Sequence, residues 1–323
     1  MNKAGFILLV KLQRKIYDIF SNNLLAIGFS LLIYVIMNIS FSFIVAFIAS
    51  YIPIGSFPLT ATAIDITIYI VVFLITIYLM NLNNSISFNR IVPGYALAAL
   101  VFFFLCFLIS SYISMVFYSF FDKIGIHGQN SIPSMPTDIY GITLYLLQFT
   151  ILPSIMEEIL FRKVMLSRLS KYSNSTKVIV SSLFFAVLHF SLPSLPSIFF
   201  IGIILSYLTL RYRSIFPSVV LHFIHNLSSL LLNRFGDSLS EETMIILSNW
   251  IIFLGMFSGV IILFFITLRP KQNLLRYLPS EDSINPEDKH TLSSIFKAPI
   301  VIIFIALSLI ITLALEFLPR ILS

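Results

Sequence analysis

Charge is scarce in this chain. Only 11% of its 323 residues are Asp, Glu, Lys or Arg, where soluble domains carry about 25%. With 58% hydrophobic residues and a mean hydropathy of +0.99, this excludes an ordinary soluble domain and points to a polytopic membrane protein. Cysteine is nearly absent. The single Cys106 excludes an intrachain disulfide, and no motif sets a base beside it, so it reads as a buried, inert thiol. No cleavable signal peptide is expected at the start, and there is no internal repeat or low-complexity tract. The net charge of +6 does not imply nucleic acid, because the basic residues sit between apolar runs, where a topology signal belongs.

What is present is a series of apolar runs. Nine spans are predicted, at 24–52, 60–80, 95–121, 139–161, 178–190, 197–210, 215–232, 245–268 and 299–317, the fifth and sixth of them short. With the N-terminus inside, 17 of the 20 Lys and Arg residues fall on the inner side, and only Lys123, Arg234 and Arg320 fall outside. The expected fold is therefore all-α, a bundle of eight or nine transmembrane helices. Its parts are an amphipathic inner-surface segment at 1–23, three accessory spans and an outer loop at 24–138, a core at 139–232, and two last spans at 233–323. A charged inner loop runs through 270–298.

Three polar motifs interrupt the core spans: Glu157-Glu158-x-x-x-Arg162, Phe185-x-x-x-His189 and His222-x-x-x-Asn226. A charged side chain near the bilayer centre costs roughly 2.5–3.5 kcal/mol on insertion scales, so such groups are rare and usually functional. Glu158 and Arg162, four apart, share a helix face and can pair. Glu157 points about 100° away and is left to face a cavity. Pro153, one turn upstream, removes a backbone bond, frees the Phe149 carbonyl and is expected to kink the helix. Glu157 and His189 lie equally far from a hairpin apex near Ser173, which puts them at similar depth within the membrane. Phe185 is expected to pack beside His189. His222 and Asn226 share a face about two turns into their span, with His225 close to that face.

The order and spacing of these motifs resembles the CAAX protease and bacteriocin-processing family of intramembrane endopeptidases, which includes the Ras-converting CAAX endopeptidase. The resemblance covers about residues 139–232. It implies that Glu157 activates water with help from His189, and that His222 and Asn226 stabilise a tetrahedral oxyanion. Glu158, Arg162, Phe185 and His225 are supports. The chemistry is coherent: a carboxylate taken out of water holds its proton more tightly, which suits a general base near neutral pH. Oxyanion donors are worth about 3–4 kcal/mol each.

Zinc on Glu157, His189 and His222 is the alternative cofactor reading, and the reading without a metal is preferred. There is no His-Glu-x-x-His run, no Gly-x-Ser-Gly and no Gly-x-Gly-Asp. These absences separate the chain from site-2 metalloproteases, rhomboids and presenilin-like aspartyl proteases. The expected substrate is a small peptide or a lipidated protein tail presented near the cytoplasmic leaflet of a microbial plasma membrane. The expected partners are that substrate and the lipid bilayer. Two other classes stay open: a proton-coupled transporter and a catalytically silent regulator or immunity protein that binds a partner membrane protein.

Overall fold

The computed structural model describes residues 23–49, 57–80, 93–126, 136, 138–236, 240–268 and 295–322. The amphipathic segment expected at 1–23 and most of the loop at 270–298 lie outside them. All regular structure among the described residues is helical. In chain order the helices are α1 (Asn23–Ala49), α2 (Phe57–Met80), α3 (Pro93–Lys123), α4 (Ile139–Arg168), α5 (Asn174–Val187), α6 (Leu195–Tyr212), α7 (Phe216–Gly236), α8 (Glu241–Leu268) and α9 (Pro299–Leu322). Within them, Thr62–Leu79, Phe104–Lys123, Ile139–Arg168 and Leu195–Tyr212 are long and apolar enough to cross a membrane. Five further apolar stretches, in α1, α5, α7, α8 and α9, are shorter.

Each predicted span coincides with a helix, but two boundaries move. The fourth span was expected to stop at 161 and runs on to Arg168. The fifth was expected to carry His189, yet α5 stops at Val187. The cause is local: Ser191, Pro193 and Ser194 favour a turn, and Pro193 disfavours helix at Leu192. The backbone responds at Phe190, which takes a left-handed φ of 51°, an outlier for so bulky a residue.

Caps set the other ends. The Asp138 carboxylate accepts from the Gly141 amide at 2.8 Å and starts α4. Ser173 accepts from the Thr176 amide at 3.2 Å and starts α5, so the hairpin apex falls where the motif spacing put it. Arg213, at φ 49°, closes α6.

Helix α4 is continuous but not regular. Two π-helical stretches, Leu147–Ile151 and Glu158–Met165, flank the α-helical Leu152–Glu157. Pro153 lacks the amide that would bond to Phe149, and the wide turn just before it absorbs the mismatch, with the Leu152 amide bonded to the Leu147 carbonyl. The hydroxyls of Thr150 and Ser154 bond back to the carbonyls of Leu146 and Thr150, a pattern that bends helices.

Helices α4, α5 and α7 carry the three motifs, and α6 packs against all three. The α1–α2 pair lies against α4, and the α3–α8 pair lies against α6 and α7. The last helix belongs to the core. α9 packs on α1 and α5, its buried Phe304 meets Phe184 edge-on at 5.2 Å, and Gly28 lets Ile300 approach so closely that a β-carbon there would lie 2.6 Å from its Cγ1.

Candidate active site

Glu158 and Arg162 are fully buried, and Glu158 Oε1 lies 3.2 Å from Arg162 Nη1. The same oxygen accepts a hydrogen bond from His222 Nδ1 at 2.9 Å. One carboxylate oxygen therefore ties α4 to α7. Its geometry assigns the His222 tautomer, because a carboxylate only accepts and Nδ1 must carry the hydrogen. His222 Nε2 is then turned toward Glu157 Oε2, 3.9 Å away.

Glu157 faces the other way, as its position next to Glu158 implies. It lines a cavity of roughly 330 Å³ between α2 and α4, together with Asp65, Tyr69, Gln148, Phe149 and Pro153. Its Oε1 accepts from the Tyr69 hydroxyl at 3.4 Å. Its Oε2 is buried without a hydrogen-bond partner among the described residues. Pro153, just after the π-helical turn, thus lines the same cavity as the acid that faces open space.

Phe185 joins the three motifs. The Arg162 guanidinium sits over its ring at 4.2 Å. His189 meets that ring edge-on at 4.8 Å, His222 at 5.6 Å and Phe161 at 5.4 Å. Arg162 also reaches the Gly202 carbonyl of α6 at 3.4 Å. A β-carbon on Gly202 would lie 3.0 Å from Ser182 Cβ and 3.2 Å from Phe185 Cδ1. Gly202 is therefore what lets α6 come close behind the motif helices.

His189 was expected inside the fifth span, and it follows the end of the helix by two residues. It lies past the end of α5 and is exposed, and among the described residues no bond joins it to Glu157. Its Nδ1 donates to the Phe185 carbonyl at 2.7 Å, which leaves Nε2 as the free ring atom. Asn226 is half-buried one turn beyond His222 and makes no hydrogen bond to any described residue. His225 packs edge-on against Phe107 at 5.6 Å, and its buried Nδ1 has no partner among the described residues.

Among the described residues no three His, Cys, Asp or Glu side chains group as metal ligands. The hydrogen bonds of His189 and His222 engage Nδ1 and leave Nε2 of each ring open, and no step is assigned to a metal.

Residues 140–228 match the family model described as type II CAAX prenyl endopeptidase, Rce1-like. Over that segment the chain is similar to the Rce1-like CAAX endopeptidases, in agreement with the resemblance drawn from the motifs. No curated protein and no solved structure gives a significant match. The matched segment runs from α4 into α7 and contains every motif residue. Helices α1, α2, α3, α8 and α9 lie outside it, so Tyr69, which touches Glu157, is contributed by a helix beyond the matched segment.

Several residues around the site escaped the sequence reading: Tyr34, Tyr69, Gln148, Phe190 and Gly202. Asp65 and Tyr69 carried a faint signal. They are polar residues four apart in an apolar span, hence on one face, and both line the cavity. Gly202 is a lone glycine in an apolar run, the usual mark of close backbone approach in membrane helices.

Proposed function

We propose that the protein is an intramembrane endopeptidase that hydrolyses peptide bonds with a water activated by Glu157, and that its substrates are small peptides or lipidated protein tails presented near the cytoplasmic leaflet. The observation that carries this reading is the placement of His222: held through Nδ1 by Glu158, it turns Nε2 toward the free oxygen of Glu157.

The reaction balances as follows. Glu157 Oε2 takes a proton from water as the water oxygen attacks the scissile carbonyl carbon. The negative charge that develops on the carbonyl oxygen is met by His222 Nε2–H and the Asn226 side-chain amide. Collapse breaks the C–N bond, and Glu157 returns the proton to the leaving amine. His189, with Nδ1–H bound to a carbonyl, offers Nε2 to a hydrogen of the water. With Nδ1–H given to Glu158, His222 donates from Nε2 only as the imidazolium, and the Glu158 carboxylate is its counter-charge.

The test is hydrolysis by the purified, detergent-solubilised protein, wild type against Glu157→Gln. Mass spectrometry reads a mixed pool of leader peptides and lipidated tails, with and without chelator. Cleavage lost in the variant and unaffected by chelator is the expected result. Cleavage that survives Glu157→Gln sinks the mechanism, and cleavage abolished by chelator and restored by zinc replaces it with a metal-dependent one.

A further inference from the structure

Glu157 is gripped from outside its own domain. The hydroxyl of Tyr69, on α2, reaches Glu157 Oε1 at 3.4 Å. Tyr34, on α1, hydrogen-bonds Tyr69 in turn. The three groups form a line from α1 through α2 to α4. A tyrosine hydroxyl has one hydrogen. Tyr69 gives it to the carboxylate and therefore accepts from Tyr34, so the chain is directional and ends on the acid.

This contact makes the two oxygens of Glu157 unequal. Oε1 receives a donor. Oε2 has none, is buried, and is the atom that faces His222. A carboxylate on a flexible stem rotates unless something holds it, and a general base must present a free lone pair at a defined place. Both tyrosines lie in otherwise apolar helices, where a polar tip tends to find a partner. Tyr69 lines the same cavity that Glu157 faces, so it stands where the carboxylate would otherwise swing.

We infer that Tyr69, backed by Tyr34, is the positioning residue of Glu157: it holds Oε1 so that Oε2 is the oxygen that takes the proton from water. The inference rests on the general-base reading of Glu157. It gives α1 and α2 a task in the site and implies that the matched segment is not catalytically complete without them. Donor chains of this kind also polarise one another, so Tyr34 acts through Tyr69 and not independently of it.

The experiment uses the full chain in detergent and compares wild type, Tyr69→Phe, Tyr34→Phe and the double variant. Phenylalanine keeps the ring and removes the donor. Tyr69→Phe is expected to lower kcat by about 10- to 100-fold, leave KM and the thermal midpoint near wild type, and displace the pH profile of kcat. Tyr34→Phe is expected to have a smaller effect that vanishes when Tyr69 is already Phe. A Tyr69→Phe enzyme with wild-type kcat and pH profile overturns the inference, as does a fall in kcat that only tracks lost stability. A second readout does not depend on turnover. Infrared difference spectra between wild type and Tyr69→Phe are expected to show a shifted carboxylate band that is missing when the pair is compared in a Glu157→Gln background. If the wild type hydrolyses nothing, the function proposed above fails; an absent band shift defeats the tyrosine contact whether or not there is turnover.

Discussion

Glu158 holds His222 by a 2.9 Å hydrogen bond between Oε1 and Nδ1. The contact decides which ring nitrogen faces Glu157, and it does so with an oxygen that Arg162 also touches at 3.2 Å. Second-sphere carboxylates that orient a histidine are often nearly as sensitive to substitution as the residues they orient.

Removing Glu158 is therefore expected to act on fold and chemistry together. Glu158→Gln leaves the buried Arg162 without its counter-charge, and breaking such a pair costs about 3–5 kcal/mol. Combining Glu158→Leu with Arg162→Met removes both charges and is expected to recover most of that stability, because well-packed apolar replacements of a buried pair are often neutral or stabilising. Thermal unfolding in detergent reads the first effect and its rescue. Peptide hydrolysis is expected to stay lost in the double variant, since nothing then orients His222.

Phe185 gives a sharper separation between packing and electrostatics. Its ring touches Phe161, His189 and His222 by their edges and Arg162 by its face. Phe185→Ala is expected to cost about 3–5 kcal/mol as a core truncation. Phe185→Leu refills much of the volume but offers no π face, so it loses the cation–π contact, worth about 2 kcal/mol when desolvated. Hydrolysis by the Leu variant is expected to fall well beyond what its denaturation midpoint explains. Equal losses in rate and stability would mean that Phe185 only fills space.

The spans and the motif residues were legible in the sequence because each carries a large signal: some twenty apolar residues in a row, or charges where charge is expensive. The pairing of Glu158 with Arg162 followed from their spacing alone. Other features had no comparable signal. The π-helical turns of α4 shift backbone bonds by one residue, as where the Leu152 amide meets the Leu147 carbonyl, and an apolarity pattern does not encode that shift. The stop of α5 before His189 was set by Ser191 and Pro193, which an apolarity pattern cannot weigh. The approach of Tyr69 to Glu157 is a contact between residues 88 apart in the chain, and no local periodicity encodes it. The pairing of His222 with Glu158 across α4 and α7, 64 residues apart, was hidden for the same reason.

Two glycines in apolar helices make a controlled comparison. At Gly202 a β-carbon would lie 3.1 Å from the Ser182 Cα, which is backbone and cannot give way without moving α5. Gly202→Ala is expected to destabilise by about 1–3 kcal/mol and to displace Phe185, lowering hydrolysis further. At Gly259 the nearest atom would be Leu105 Cδ1 at 3.5 Å, an ordinary contact at the end of a flexible side chain. Gly259→Ala is expected to be neutral or slightly stabilising, because alanine favours helix over glycine by about 1 kcal/mol. Thermal midpoints of the two variants check the contrast, and a reversed order would contradict the close packing of α5 on α6.

The last helix offers a test of whether the core extends beyond the matched domain. On α9 the residues Val301, Phe304, Ser308 and Thr312 form one buried stripe, while Ile303 and Ile310 are 52% and 61% exposed. The spacing is that of a helix with one face on the protein and the other left for lipid. Phe304→Ala removes a ring that is fully buried against Phe184 and is expected to cost about 3–5 kcal/mol. Ile310→Ala, on the opposite face, is expected to change stability by less than about 0.5 kcal/mol. Because α9 bears on α5, the helix that carries Phe185, a loosened α9 is also expected to lower hydrolysis. Equal, small effects at Phe304 and Ile310 would mean that α9 does not dock as the structure has it. A large effect at Phe304 alone ties the C-terminal helix to the same core that holds the motifs.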